Sequence, residues 1–184
     1  YEKYRVRRYG FHGTSHRYVA RRAAQLMKKD KYDVNIITCH LGNGSSAAAV
    51  KNGQSIDTSM GFTPLEGLLM GTRSGDIDPA VVLHVMNKEE LSMHEANTML
   101  NKHSGIQGLS GISSDMREIE EELESNSRAR LAHNVFCYRL KKYIGAYTAA
   151  LGGVDAIVFT GGIGENSSVV RHDVLKNMEY LGIH

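Results

Sequence analysis

The sequence has only two cysteines and two prolines, and it has no tryptophan. Cys39 and Cys137 lie far apart, form no CxxC pair and are each flanked by apolar residues. This pattern favours two buried free thiols and fits a reducing, cytoplasmic environment. The scarcity of proline and the lack of low-complexity segments argue against disorder. We therefore expect a folded cytoplasmic protein.

Long apolar runs and an excess of one charge are also lacking. No run approaches the about 18 residues of a membrane span, and the start, YEKYRVRRYG, lacks the apolar stretch of a signal peptide. The 22 basic and 20 acidic side chains give a net charge of +2, which is no general reason to expect nucleic acid or a membrane as partner. The 184 residues suffice for one sizeable domain. Because no initiator Met is present, we expect the chain to begin inside a longer protein.

Two Asn-Gly pairs organise the first third of the chain. Apolar residues at helical spacing predict a helix over 15–29, which Thr14 or Ser15 can cap. A β-branched segment, VNIITCHLG, follows, and both Asn-Gly pairs are tight hairpin-turn signals. The result is a predicted antiparallel meander with strands near 34–41, 45–51 and 54–60 and turns at 43–44 and 52–53.

Helices are predicted to dominate the rest. Segment 61–79, rich in glycine and containing both prolines, is predicted as an ordered loop region with one short apolar turn. Helices are expected from 79, over 89–101, after 115 and over 127–150, and DAIVFT is predicted as a short buried strand. The residues able to open or cap helices here are Asp78 with Pro79, Asp115 with Glu118 at capping-box spacing, and Asn166 or Ser167.

Three segments, LGNGSS, GTRSGD and TGGIGEN, place glycines beside small hydroxyl, amide or charged groups. Glycine lets backbone N–H groups approach an anion closely, and a following helix N-terminus adds partial positive charge. Each segment alone also fits an ordinary turn, a hairpin for LGNGSS and a strand-to-helix turn for GGIGEN. None matches a P-loop or a complete Rossmann fingerprint. Their recurrence indicates a phosphate site of another type.

Two side chains are candidates for chemistry. His12 lies in a predicted loop, where its imidazole can donate to a reacting oxygen or simply fix the loop; zinc binding with His16 is improbable because His12 precedes the helix. Arg73, held between glycines, can present its planar fork to a phosphoryl group or pair with Asp76 or Asp78. The residues alone do not choose between these alternatives.

The lead-in alternates basic and tyrosine side chains, a composition that also occurs in RNA-binding segments. A solvated strand is the commoner explanation, and the balanced net charge lowers the case for nucleic acid further. We therefore expect neither nucleic acid nor membrane as a partner.

Five motifs in order, from Tyr9 to the end of the chain, closely resemble the acetate and propionate kinases: GFHGTSH, CHLGNGSS, GFTPLEGLLMGTRSGDIDP, GISSDMR and FTGGIGEN. The resemblance implies an α/β, ribonuclease H-like domain of the acetate and sugar kinase, Hsp70 and actin superfamily. It further implies that residues 1–184 form the nucleotide-binding second domain of a two-domain kinase. The first domain and the extreme C-terminus, with most of the metal ligands, would then be absent.

The activity implied by the resemblance is ATP plus acetate to ADP plus acetyl phosphate, by direct in-line transfer with Mg²⁺. Propionate kinase is the alternative within the family, and a non-catalytic ATP-sensing module is the alternative outside it. His12 and Arg73 would stabilise the transition state. Such an enzyme is expected to be a homodimer, and this chain alone is expected to bind nucleotide at most weakly and not to turn over acetate.

The resemblance also assigns binding residues. The loop formed by His40, Leu41, Gly42, Asn43 and Gly44 would hold the phosphates of ATP or ADP. The adenosine side would be formed by Asp115, Met116 and Arg117 together with Gly162, Ile163, Gly164, Glu165 and Asn166. Phe11 and Pro64 would line the small acyl pocket.

Overall fold

A mixed sheet of four strands organises residues 1–183, the part of the chain that the computed structural model describes. The strands are β1 (Asn35–Leu41), β2 (Ser45–Lys51), β3 (Gln54–Thr58) and β4 (Ala156–Thr160), in the order β3-β2-β1-β4. The first three form the predicted antiparallel meander, and β4 runs parallel to β1. The carboxyl ends of β1 and β4 therefore open at the same edge.

The two Asn-Gly pairs behave differently. Asn52 and Gly53 both have positive φ, 51° and 74°, which suits the tight turn that joins β2 to β3. At the other pair, Leu41 faces Ser45 across the ladder, so the strands end where predicted and residues 42–44 form the hairpin connection. This loop is also held from outside, because the N–H of Gly71 donates to the carbonyl of Asn43 at 2.9 Å.

Helices cover both faces of the sheet. Their bounds are α1 (Gly13–Leu26), α2 (Pro79–Lys88), α3 (Met93–Lys102), α4 (Gly105–Ser110), α5 (Met116–Glu121), α6 (Ser127–Leu151), α7 (Gly161–Asn166) and α8 (Ser168–Leu175), followed by a 3₁₀ turn at Glu179–Leu181. Segment 61–78 contains neither helix nor strand, as predicted. Within residues 1–183, no helix is both long and apolar enough to cross a membrane.

The alternation along β1 builds two apolar layers. Ile37, Cys39 and Leu41 point to the face covered by α6, where the main core lies. Ile36 points to the opposite face and packs with Val34, Val50 and the alanines of α1. Cys39 and Cys137 are buried free thiols, as predicted, and burial raises the pKa of the Cys39 thiol to about 12.

Several predicted helix ends and caps require correction. Helix α1 begins at Gly13 rather than 15 and ends at Leu26 rather than 29, because His12 and Lys28 have left-handed backbone at φ 59° and 56°. Neither Thr14 nor Ser15 caps it, since His12 occupies the N-cap position. The helix expected over 89–101 is α3, which starts at 93 after a left-handed Glu90.

Further corrections concern capping and the last strand. Asp115 caps α5 by accepting from the N–H of Arg117, and the Arg117 side chain also binds that carboxylate, so no reciprocal box with Glu118 forms among residues 1–183. Strand β4 is half-buried rather than buried, because within residues 1–183 it is an edge strand paired with β1 alone. The lead-in is irregular and exposed rather than a strand. Ser167, of the two predicted residues, caps α8.

Candidate active site

His12 stands at the junction of the lead-in and α1, beside the carboxyl end of β1. Its ring stacks on that of His40 with centroids 4.1 Å apart, and its Nδ1 lies 2.8 Å from the Oγ of Ser46. The other ring nitrogen, Nε2, faces the loop between β1 and β2: a Cβ added to Gly44 would lie 3.6 Å from it. His12 therefore presents one nitrogen to the protein and the other to the glycine loop.

Arg73 reaches the same loop from the segment between β3 and α2. Its Nη1 donates to the carbonyl of Pro64 at 2.9 Å, and a Cβ added to Gly44 would lie 3.3 Å from Nη1 and 3.4 Å from Nη2. The predicted alternative of an ion pair with Asp76 or Asp78 is wrong. Asp76 is engaged instead by Arg139, at 3.4 Å, and by the hydroxyl of Tyr143. The guanidinium of Arg73 therefore carries a positive charge that no carboxylate among residues 1–183 neutralises by an ion pair.

His12 and Arg73 thus converge on Gly44 from two separate segments. A glycine is required for this approach, since any side chain there would occupy the space in front of both donors. A guanidinium aimed at one point beside an imidazole nitrogen, once that nitrogen carries a hydrogen, forms a site for an anionic oxygen.

A cavity of about 700 Å³ opens next to this point. Its walls are the β1–β2 loop, the start of α5 and the helix α7; the lining residues are Gly42, Asn43, Ser114, Asp115, Met116, Arg117, Glu120, Gly162, Ile163, Asn166 and Ser167. Three segments that lie far apart in the sequence therefore form one pocket. Its volume is within the range of small-molecule and cofactor sites.

Desolvation by burial keeps the three imidazoles near this point neutral. It lowers the pKa of His12 to about 4, and the neighbouring His40 and Arg73 add to the effect. It also lowers the pKa of His16 to about 4, with His12 and His40 contributing, and it lowers the pKa of His40 against the opposing influence of Glu165. At neutral pH, Arg73 is therefore the charged group at this point, and His12 acts through a neutral ring.

The sequence model of the acetokinase family matches residues 1–184. The chain belongs to the acetokinase family. It is 63% identical over 183 residues to an acetate kinase of Carboxydothermus hydrogenoformans, a match that covers 99% of this chain and 46% of that protein. The curated relatives it matches are thus about twice as long as this chain.

Solved structures show the same likeness. A crystal structure of Porphyromonas gingivalis acetate kinase superposes with a TM-score of 0.97 at 54% identity, over 98% of this chain and 46% of that one. A propionate kinase from Francisella tularensis gives a TM-score of 0.92 at 45% identity, over 97% of this chain and 46% of that one. These matches confirm the predicted α/β fold of the acetate and sugar kinase superfamily.

The acetokinase residues assigned by resemblance fall into two groups in this structure. Most of the nucleotide set lines the 700 Å³ cavity, namely Gly42, Asn43, Asp115, Met116, Arg117, Gly162, Ile163 and Asn166. The remaining members do not line it: Leu41 and Gly164 are buried, Gly44 lies beneath Arg73, His40 stacks on His12, and Glu165 accepts from the hydroxyl of Thr160. The binding roles of both groups stay predictions.

The two residues assigned to the acyl pocket are not brought into one cavity. Phe11 lines a separate cavity of about 310 Å³ between α1 and the sheet, with Ala20, Val34 and Val50. Pro64 is absent from that lining and instead supplies the carbonyl that holds Arg73. Their role as an acyl pocket likewise stays a prediction.

Sequence reasoning missed several residues of the acetokinase site. Ser114, Glu120 and Ser167 line the cavity, and the hydroxyl of Ser167 donates to the carboxylate of Glu120. His16 and Ser46 lie behind His12, with the Nε2 of His16 2.7 Å from the Oγ of Ser46. Thr38, bound to His16, shares with the predicted His40 the face of β1 opposite Ile37 and Cys39, and this alternation was a usable signal for it.

The neutral state of His16 predicts a dependence of stability on pH. The unfolded chain binds a proton at this residue below its ordinary pKa of 6.5, whereas the folded chain binds one only near 4. The contribution of the neutral His16 to stability is therefore fully present above pH 6.5 and is lost as the pH falls toward 4. We expect the free energy of unfolding to drop by about 1.4 kcal/mol per pH unit on account of His16, which is 5% exposed. Urea unfolding at a series of pH values measures this slope.

The variant His16→Gln serves as the control, since it has no titrating ring. Its free energy of unfolding should vary less between pH 6.5 and 5 than that of the parent chain. Asp115, with its pKa lowered to about 2 by Arg117, loses its contribution only below this window. Parallel pH profiles for parent and variant would contradict a neutral buried His16.

Proposed function

We propose that this chain is the nucleotide-binding second domain of an acetate kinase, which transfers a phosphoryl group in line from ATP to acetate. The observation that carries the proposal is the convergence of His12 and Arg73 on Gly44, in the same β1–β2 loop whose Gly42 and Asn43 line the 700 Å³ cavity. The alternative of a non-catalytic ATP-sensing module gives no reason for two donors to meet in front of the phosphate loop.

The geometry suggests how the nucleotide lies. The base and ribose occupy the 700 Å³ cavity between the start of α5 and helix α7, near Met116 and Ile163. The phosphates then pass Asn43 toward Gly44, where the missing Cβ leaves room for an oxygen beside Arg73 and His12. During transfer the equatorial oxygens of the moving group accept hydrogen bonds from these two side chains, which is where positioned donors lower the barrier.

Magnesium belongs to the proposed reaction, in which it would neutralise phosphate charge. Among residues 1–183, no group of three or more His, Cys, Asp or Glu side chains is arranged to hold a metal ion. The donor set for a complete Mg²⁺ site is therefore not found in this part of the chain.

Acetate is the proposed acceptor, with propionate as the alternative. The two acids differ by one methylene, which a hydrophobic pocket distinguishes by only about 1–3 kcal/mol. Matches to an acetate kinase and to a propionate kinase support the class of small carboxylates. A cytoplasmic homodimer is proposed with the same activity.

Nucleotide binding can be tested on the cavity directly. Gly162 lines it, and a Cβ added there meets nothing within 4 Å, so Gly162→Leu fills the cavity without disturbing the core. ADP at about a hundred times its dissociation constant should raise the Tm of the parent chain by roughly 5 °C or more. Differential scanning fluorimetry should show this shift for the parent and not for Gly162→Leu, with similar Tm values in the absence of ADP. Equal shifts in the two proteins would place the nucleotide elsewhere.

The reaction itself is tested on the full-length protein by trapping acyl phosphate with hydroxylamine. Formation of acetyl hydroxamate that requires both ATP and acetate is the expected result. An ATP-dependent Tm shift without any hydroxamate would favour the sensing module instead.

A further inference from the structure

A chain of buried hydroxyl and imidazole groups leads from the sheet to His12. It begins at Thr38 on β1, whose Oγ1 lies 2.8 Å from the Nδ1 of His16. It continues from the Nε2 of His16 to the Oγ of Ser46 at 2.7 Å, and from there to the Nδ1 of His12 at 2.8 Å. Thr38 and Ser46 are fully buried, and His16 is 5% exposed.

The fold brings these groups together from the start of α1 and from two paired strands. His16 lies in the first turn of α1 and His12 is its N-cap, and their rings reach Thr38 on β1 and Ser46 on β2. Thr38 and His40 share one face of β1, and Ser46 lies on β2 directly opposite His40. A side link from the Oγ of Ser15 to the Nδ1 of His40, 2.9 Å, holds the ring on which His12 stacks.

The hydrogen bonds of this series can all be made with only one choice of donor and acceptor at each link. The hydroxyl of Thr38 has a single hydrogen, and His16 is its one hydrogen-bond partner within residues 1–183. If the Nδ1 of His16 carried a hydrogen, the buried hydrogen of Thr38 would have no acceptor, which is costly. Thr38 therefore donates to the Nδ1 of His16.

The donor at the first hydrogen bond then determines the donor at each of the remaining two. A neutral His16 that accepts at Nδ1 carries its hydrogen on Nε2 and donates it to the Oγ of Ser46. The single hydrogen of Ser46 is left for the Nδ1 of His12. His12 consequently carries its own hydrogen on Nε2, the nitrogen that faces Gly44.

We infer that Thr38, His16 and Ser46 are positioning residues that fix His12 in the Nε2–H tautomer, so that a neutral ring always presents a donor to the phosphoryl oxygen. The role of that donor rests on the proposed function, whereas the direction of the chain rests on the hydrogen bonds alone. None of the three residues needs to touch the nucleotide or the acyl group.

Two substitutions of Thr38 separate hydrogen bonding from packing. Thr38→Val keeps the shape and loses the hydroxyl, whereas Thr38→Ser keeps the hydroxyl and loses the methyl group. We expect Thr38→Val to lower kcat on the order of tenfold, the factor that one buried hydrogen bond is worth, with little change in the Kd for ADP. Thr38→Ser should retain most of the activity. If Thr38 only fills space, the order is reversed and Thr38→Val is the milder change.

The tautomer itself is read by nitrogen NMR of the full-length protein labelled with ¹⁵N in histidine, with the His12 signals assigned through His12→Gln. Protonated Nε2 and unprotonated Nδ1 on both His12 and His16 are expected near pH 7, and a mixture is expected at His12 in Thr38→Val. A hydrogen on the Nδ1 of His12 in the parent protein, or an unaltered His12 spectrum in a folded Thr38→Val, would overturn the inference. Because the spectrum is independent of turnover, an Nε2–H tautomer without hydroxamate formation would reject the proposed kinase activity and leave the inference standing.

Discussion

Replacing Arg73 by alanine in the full-length protein is expected to lower kcat by about 10²–10³-fold. Its guanidinium is the charged group that lies over Gly44, and its Nη1 is held in place by the carbonyl of Pro64. A positioned charge of this kind acts mainly on the transition state, so KM should change far less than kcat. Steady-state hydroxamate assays of parent and variant measure both constants.

Two further variants control this experiment. Arg73→Lys keeps the charge but loses the planar fork, so its kcat should lie between those of the parent and the alanine variant. Arg130→Ala removes an arginine whose contacts are Leu123 and Glu124, and it should leave kcat unchanged. Full turnover in Arg73→Ala would remove Arg73 from the proposed mechanism.

A large loss of stability is expected from Gly105→Ala. Gly105 has φ +65°, and a Cβ built there lies 2.3 Å from the carbonyl oxygen of Met70 and 2.9 Å from that of Arg73. Backbone strain and the forced displacement of these carbonyls should together lower the free energy of unfolding by about 3–5 kcal/mol. Urea unfolding provides the measurement, and loss of activity should accompany it because the Arg73 segment moves.

Gly145→Ala is the matched control, made in the middle of α6. A Cβ there meets nothing within 4 Å, and the residue has ordinary helical backbone. Alanine at this position should raise the free energy of unfolding by about 0.5–1 kcal/mol through its better helix propensity. Similar changes in the free energy of unfolding for Gly105→Ala and Gly145→Ala would show that the carbonyls close to Gly105 do not require a glycine there.

Sequence patterns predicted those elements of the fold that are determined by residues close together in the sequence. The Asn52-Gly53 turn with its flanking strands and the long helix α6 were predicted nearly to their ends, and the helix from Pro79 was predicted at its start. The start of α1 was not, because a left-handed histidine in place of a capping hydroxyl has no common sequence signature. The hairpin at Asn43-Gly44 was predicted with the strand ends observed, but the hydrogen bond from Gly71 that holds its loop was not, since Gly71 lies far away in the sequence.

In the candidate site, too, short motifs revealed some residues, whereas residues placed by tertiary contacts were missed. The recurrence of glycine loops and the resemblance of the motifs selected most residues that line the cavity, together with His12 and Arg73. The histidine and hydroxyl chain behind His12 was missed, because it depends on the register of β1 against β2 and on the docking of α1. No short spacing in the sequence encodes that combination, although the alternation of Thr38 and His40 along β1 was visible.

The 25-residue helix α6 is about 37 Å long and contacts α5 on one side of the 700 Å³ cavity and α8 on the other. Helix α8 in turn contacts α7, so the α5 wall of the cavity packs directly on α6 and the α7 wall packs on it through α8. The separation of these walls is therefore set by the side chains along α6, at some distance from any ligand. Core substitutions on this helix should therefore change the width of the cavity without altering a single residue that lines it.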